Sequence, residues 1–154
     1  MEQKQVEIGT RLGPRLIDLD KVVHFPRGIA GFEDEHDFII LQIRPDAPLL
    51  VLQSMSNPNL GLLVADPYIF LERVQVSVGE AELSVLQMPS IKGAAVLMTV
   101  TIPPGAPEKA TLNLTGPIFI NYAARIGLQV PQNIDGPASV CLSELNQPRG
   151  GRED

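Results

Sequence analysis

The stretch Ala110-Thr111-Leu112-Asn113-Leu114-Thr115-Gly116-Pro117-Ile118-Phe119-Ile120-Asn121 reads as two short strands with a tight Gly-Pro break between them. Apolar residues alternate in the first half and run together in the second, and proline cannot continue a sheet ladder. The same punctuation recurs outward in both directions. Fourteen prolines and thirteen glycines are spread along 154 residues, which cuts the chain into pieces of strand length. Strands are expected near Val6–Ile8, Arg15–Ile17, Val22–Phe25, Phe38–Ile43, Leu49–Gln53, Leu62–Ala65, Val74–Val76, Ala94–Thr101, Ala110–Leu114, Ile118–Asn121, Gly127–Val130 and Ser139–Leu142. Val74, Val76 and Val78 alternate with Arg73, Gln75 and Ser77, as in a sheet with one wet face.

One helix is expected after Ser77-Val78-Gly79-Glu80, which resembles a capping box. Ala81, Leu83, Val85, Leu86 and Met88 supply its apolar side, and Pro89 stops it. A weaker helical turn is expected around Glu33–Asp37. Frequent strands without alternating helices disfavour a doubly wound parallel sheet. The predicted fold is mainly β: a single-domain antiparallel β-barrel-like structure with one short helix, spanning residues 1–145. Residues 146–154, rich in Pro, Gly and charge, are expected to be a disordered polar tail.

Composition narrows the function. Hydrophobic residues make up 44 % of the chain and the formal net charge is −6. A chain of this size folds around its own core, and the acidic balance argues against nucleic acid as the main partner, because phosphate binding needs a basic face. The lone Cys141 can form neither an internal disulfide nor a multi-cysteine zinc site, and its neighbours suggest a core thiol. No apolar segment follows Met1–Gln5 and no apolar run is long enough to span a membrane, so a cytoplasmic location is expected.

Catalytic groups are scarce. Phosphate-cradling loops, nucleophile elbows and zinc-protease motifs are absent, and the only candidate imidazole bases are His24 and His36. His36 lies among Glu33, Asp34, Glu35 and Asp37. Such a cluster suits a hard cation in kind, but lacks calcium-loop spacing; the alternative is a solvated acidic turn. No metal, cofactor or catalytic residue is predicted.

Four segments combine unusual residue types. Phe25-Pro26-Arg27-Gly28-Ile29-Ala30-Gly31-Phe32 is a glycine turn between two aromatics, both expected in the core. Val51-Leu52-Gln53-Ser54 precedes the turn Asn57-Pro58-Asn59. Asp66-Pro67-Tyr68-Ile69-Phe70 is a proline-initiated corner with two aromatics. The fourth is the Ala110–Asn121 stretch. In this order, with Gly127-Leu128-Gln129-Val130 following, they resemble the flagellar assembly factor family FliW from about Ile8 to Val130. The resemblance implies a small antiparallel β-barrel-like fold, no enzymatic activity and two protein partners. One is flagellin. The other is the RNA-binding translational repressor CsrA, antagonised non-competitively, so that flagellin synthesis follows filament assembly. The free protein is expected to be a monomer.

The resemblance does not locate the contacts. Tyr68 and Phe70 are candidate interface aromatics; the alternative is that they close the barrel end. Glu33, Asp34 and Glu35 are candidates through charge, as an acidic surface that repels RNA phosphates. A different reading of the same barrel is a small ligand-binding protein with an apolar interior, distinguished by whether side chains fill that interior.

Overall fold

The computed structural model describes residues 4–145; the tail expected at 146–154 lies outside them. The strands are β1 (Gln5–Ile8), β2 (Arg15–Asp18), β3 (Val23–His24), β4 (Asp37–Gln42), β5 (Leu49–Ser54), β6 (Gly61–Ala65), β7 (Ala95–Thr101), β8 (Thr111–Asn113), β9 (Ile118–Asn121), β10 (Ile126–Gln129) and β11 (Ser139–Cys141). Helix α1 is Glu80–Leu86, and a single turn of helix, α2 (Leu142–Leu145), follows β11.

Strands β3 to β6 form an antiparallel run continued by β7. The other edge of β7 is divided. Ala95–Leu97 pair with β9 and Val100–Thr101 with β8. Since β9 pairs with β10, and β10 with β3, seven strands close into a barrel. Closure removes the sheet edges of those seven strands. The β10–β3 contact is parallel, a single bridge between Ile126 and His24, so the barrel departs from purely antiparallel pairing at its closing seam.

The continuous apolar runs have a simple cause: the barrel strands are buried on both faces. Phe38, Leu52, Val64, Leu97, Ile118 and Ile120 point inward and pack with Val23 and Phe25. Their neighbours point outward under three covers. Ile39, Leu41 and Val51 lie beneath Ile17 of the β1–β2 hairpin. Phe119, Leu128 and Val130 lie beneath Leu86 of α1. Ala65, Met98 and Val100 pack with Phe70, Leu112 and Leu142. Each fully buried side chain of this kind contributes about 1.5–3 kcal/mol before entropy is subtracted.

Several expectations need correction. Val74–Val76 joins no ladder and is extended chain. Glu33–Asp37 is a turn followed by the start of β4, with no helix. Ser77 does not cap α1: the N-cap is Gly79, whose N–H donates to the Glu82 carboxylate at 3.0 Å. Cys141 is half-buried on the outermost strand, not a core thiol. Phe32 is 39 % exposed because the turn folds back on itself. Its N–H donates to the Ile29 carbonyl at 2.7 Å, and Ile29 takes the core position beside Phe25.

Candidate partner-binding surface

The glycine-aromatic turn is built by contacts that tie distant motifs together. Phe25 is fully buried and meets Phe38 edge-on, with ring centroids 5.4 Å apart. Its ring lies over Gly127, where an added Cβ would stand 2.4 Å from the ring. Gly28 has φ +66°, and a Cβ there would be 2.7 Å from the Glu33 backbone, so only glycine lets the turn close. The Gln129 side chain then clips two loops at once, accepting from Ala30 N–H at 2.8 Å and donating to the Gly116 carbonyl at 2.9 Å. Thus the Phe25–Phe32 turn, the Gly116-Pro117 break and the Gly127–Val130 strand, far apart in sequence, share one cluster.

The acidic residues beside this turn have different jobs. The Glu35 carboxylate accepts hydrogen bonds from Ser54 Oγ at 2.6 Å and Ser56 Oγ at 2.7 Å. These two hydroxyls hold its pKa below the usual carboxylate value. Glu33 accepts from Gly31 N–H at 3.1 Å and remains exposed; Asp34 is exposed. Glu33 and Asp34 therefore face solvent, whereas Glu35 fastens the turn to the end of β5. Nearby, His24 Nδ1 lies 2.8 Å from Asp37 Oδ1, and the two histidine rings stack at 5.8 Å. Among the described residues no group of three or more His, Cys, Asp or Glu side chains is disposed to hold a metal ion.

The proline corner divides the two aromatic candidates. Asp66 accepts from Tyr68 N–H at 2.9 Å and opens a 3-10 turn over Pro67–Ile69. That turn presents Tyr68, 52 % exposed, and Ile69, 58 % exposed, outward. Phe70 turns inward and is 3 % exposed, packed among Ala65, Met98 and Leu112. Phe70 is the peg that fixes the corner, and Tyr68 is what the corner displays. The structure does not bring Tyr68 and the acidic turn into one cluster. Ile69 was missed from sequence, as were the exposed Leu16 on β2 and Tyr122 after β9. An apolar residue in a short strand or turn carries no signal of which way it faces.

The barrel interior is occupied by its own side chains, Phe25, Phe38, Leu52, Ile118 and Ile120 among them. A filled interior favours a protein that works through its surface over one that encloses a small molecule.

The family model for FliW protein matches residues 7–140. The chain belongs to the FliW family. It is 61 % identical over 144 residues to the flagellar assembly factor FliW of Desulfovibrio desulfuricans, covering 92 % of this chain and 87 % of that one. It is 31 % identical over 125 residues to the flagellar assembly factor FliW of Thermosipho africanus, covering 81 % and 86 %. A crystal structure of the flagellar assembly factor FliW superposes with a TM-score of 0.81 at 29 % identity, covering 89 % of this chain and 96 % of that one. Three of the motifs quoted from sequence, the Phe25–Phe32 turn, the Gly116-Pro117 break and Gly127–Val130, thus meet in the packing cluster around Gln129, while Tyr68, Glu33 and Asp34 are exposed. Among the described residues, no helix is long and apolar enough to cross a membrane.

Proposed function

We propose that this FliW-family chain is a non-enzymatic cytoplasmic regulator that binds flagellin and, when free of it, binds CsrA and antagonises it non-competitively. Family membership over nearly the whole chain carries this reading. The packed barrel interior supports it, because the polar and apolar groups left for recognition are all on the outside. Tyr68 on its proline corner is the proposed aromatic anchor. Glu33 and Asp34 are proposed to act through charge, extending negative potential toward RNA phosphates over roughly a Debye length, about 8 Å in physiological salt. Glu35 adds charge to that turn while holding it in place.

The test is co-purification of the tagged, monomeric chain from its native cytoplasm, with bound proteins identified in several growth phases. Flagellin and CsrA are expected in separate complexes. Recovery of neither in any phase contradicts the reading. A Tyr68→Ala chain that retains both partners at full affinity removes the corner from the interface.

A further inference from the structure

The sequence of residues 73–78 alternates like a strand, yet the structure gives it no ladder. Val74 and Val76 are half-buried while Arg73, Gln75 and Ser77 are exposed, the inward–outward pattern of a β-strand. Facing it, residues 132–135 alternate likewise, with Gln132 and Ile134 half-buried between exposed neighbours. Among the described residues, the main-chain N–H and C=O groups of Arg73, Val74, Gln75 and Val76, and of Asn133, Ile134 and Asp135, make no hydrogen bonds.

The two segments are joined at one end only, and by a side chain. Gln132 Oε1 accepts from Ser77 N–H at 2.8 Å, and Gln132 Nε2 donates to the Ser77 carbonyl at 2.9 Å. This primary amide pairs with Ser77 as the peptide group of a neighbouring strand would. It shows that the two backbones stand a side chain apart, too far to pair with each other directly. Beyond the Gln132 clip the gap opens into two joined grooves of about 350 and 300 Å³, which share Gln75, Ile134 and Asp135 as walls. Val74, Met98, Leu114 and Ile134 make the larger one apolar, with Arg73 on one wall and Asp135 on the other.

We infer that this slot receives an extended peptide from a partner polypeptide, which pairs its main chain with residues 73–76 and 133–135 and seats alternate apolar side chains against Val74, Leu114 and Ile134. Two strand-like backbones with unladdered polar groups call for a third strand, and the apolar floor takes every second side chain. The net charge of −6 disfavours an acidic occupant, so its flanking residues are neutral or basic. The inference rests on the protein-binding function proposed above and adds the mode of recognition.

The test is amide hydrogen exchange on the full chain, alone and with purified flagellin or purified CsrA, after sedimentation has established which of the two forms a complex. Amides within 73–76 and 133–135 exchange freely in the isolated chain and become protected in one complex. In parallel, Ile134→Asp, outside the four packed clusters, weakens that complex by about tenfold or more without moving the thermal midpoint. A complex that forms without protecting either segment overturns the inference and leaves the function standing. Protection in the isolated chain also overturns it. If that protection rises with concentration the occupant is a second copy, and if it disappears on deleting residues 146–154 it is the chain's own terminus. Absence of complex with both proteins overturns inference and function together.

Discussion

Gly127 sits beneath the Phe25 ring so closely that a methyl group has no room, the nearest ring carbon being 2.4 Å from where it would lie. Gly127→Ala is therefore expected to destabilise the fold by about 1–3 kcal/mol through overpacking. Trimming the ring in the double variant Gly127→Ala/Phe25→Leu recovers part of that loss, as a double-mutant cycle in urea would show. Glu35 gives a prediction in pH. Its folded-state pKa is lowered by the Ser54 and Ser56 hydroxyls. Its contribution is thus present above the carboxyl pKa of the unfolded chain and is lost as pH falls through the lower folded value. Glu35→Gln should lower the urea midpoint at neutral pH, with the two chains converging below the carboxylate range. Equal midpoints at every pH would show that the serine contacts do not stabilise the fold.

At the scale of elements, α1 is held at its C-terminal end by unusual means. Its C-cap, Gln87, is left-handed at φ 60°, and the last-turn Leu86 carbonyl accepts from Asn121 Nδ2 at 2.8 Å. A left-handed conformation costs a residue other than glycine roughly 1 kcal/mol. Gln87→Gly should accordingly raise stability by an amount of that order, read from the thermal midpoint, with no change in partner binding.

Element identity was legible where periodicity and burial agree. The strands from Phe38 to Ala65 are apolar along their length because the hairpin or the Phe70 peg covers their outer face. It was illegible where one pattern has two outcomes. Val74–Val76 has strand alternation but no ladder, since pairing depends on a neighbour that local sequence does not name. Phe32 looked like a core aromatic, but the positive φ of Gly28 and Gly31 folds the turn so that Ile29 enters instead. Capping at Gly79 was hidden for a related reason: Ser77 and Glu80 have the right spacing, yet Ser77 N–H is already engaged by Gln132 across the slot.

At the scale of the molecule, closure through the divided edge of β7 converts a meander of short strands into a barrel whose interior is full. A full interior leaves no room there for an enclosed ligand, in keeping with the surface recognition proposed above. The motifs that resemble FliW were legible because they require glycine, glutamine and phenylalanine at fixed places to pack. The proposed contact residues were less so: Tyr68 and Phe70 are two residues apart on one corner, and only the backbone of the 3-10 turn decides that one is displayed and the other buried. If the acidic turn acts by long-range repulsion, Glu33→Lys/Asp34→Lys should weaken antagonism of RNA binding more at low salt than at high salt, while affinity for flagellin is preserved. Salt-independent behaviour equal to that of the unaltered chain would make these two residues a solvated turn only.

The central claim is most directly tested by titrating an RNA target into CsrA in the presence of a fixed, saturating amount of this chain. Non-competitive antagonism predicts that the fraction of CsrA able to bind RNA stays reduced however much RNA is added, and that purified flagellin restores it. Full recovery of RNA binding by excess RNA, or no loss of it in the first place, would contradict the account.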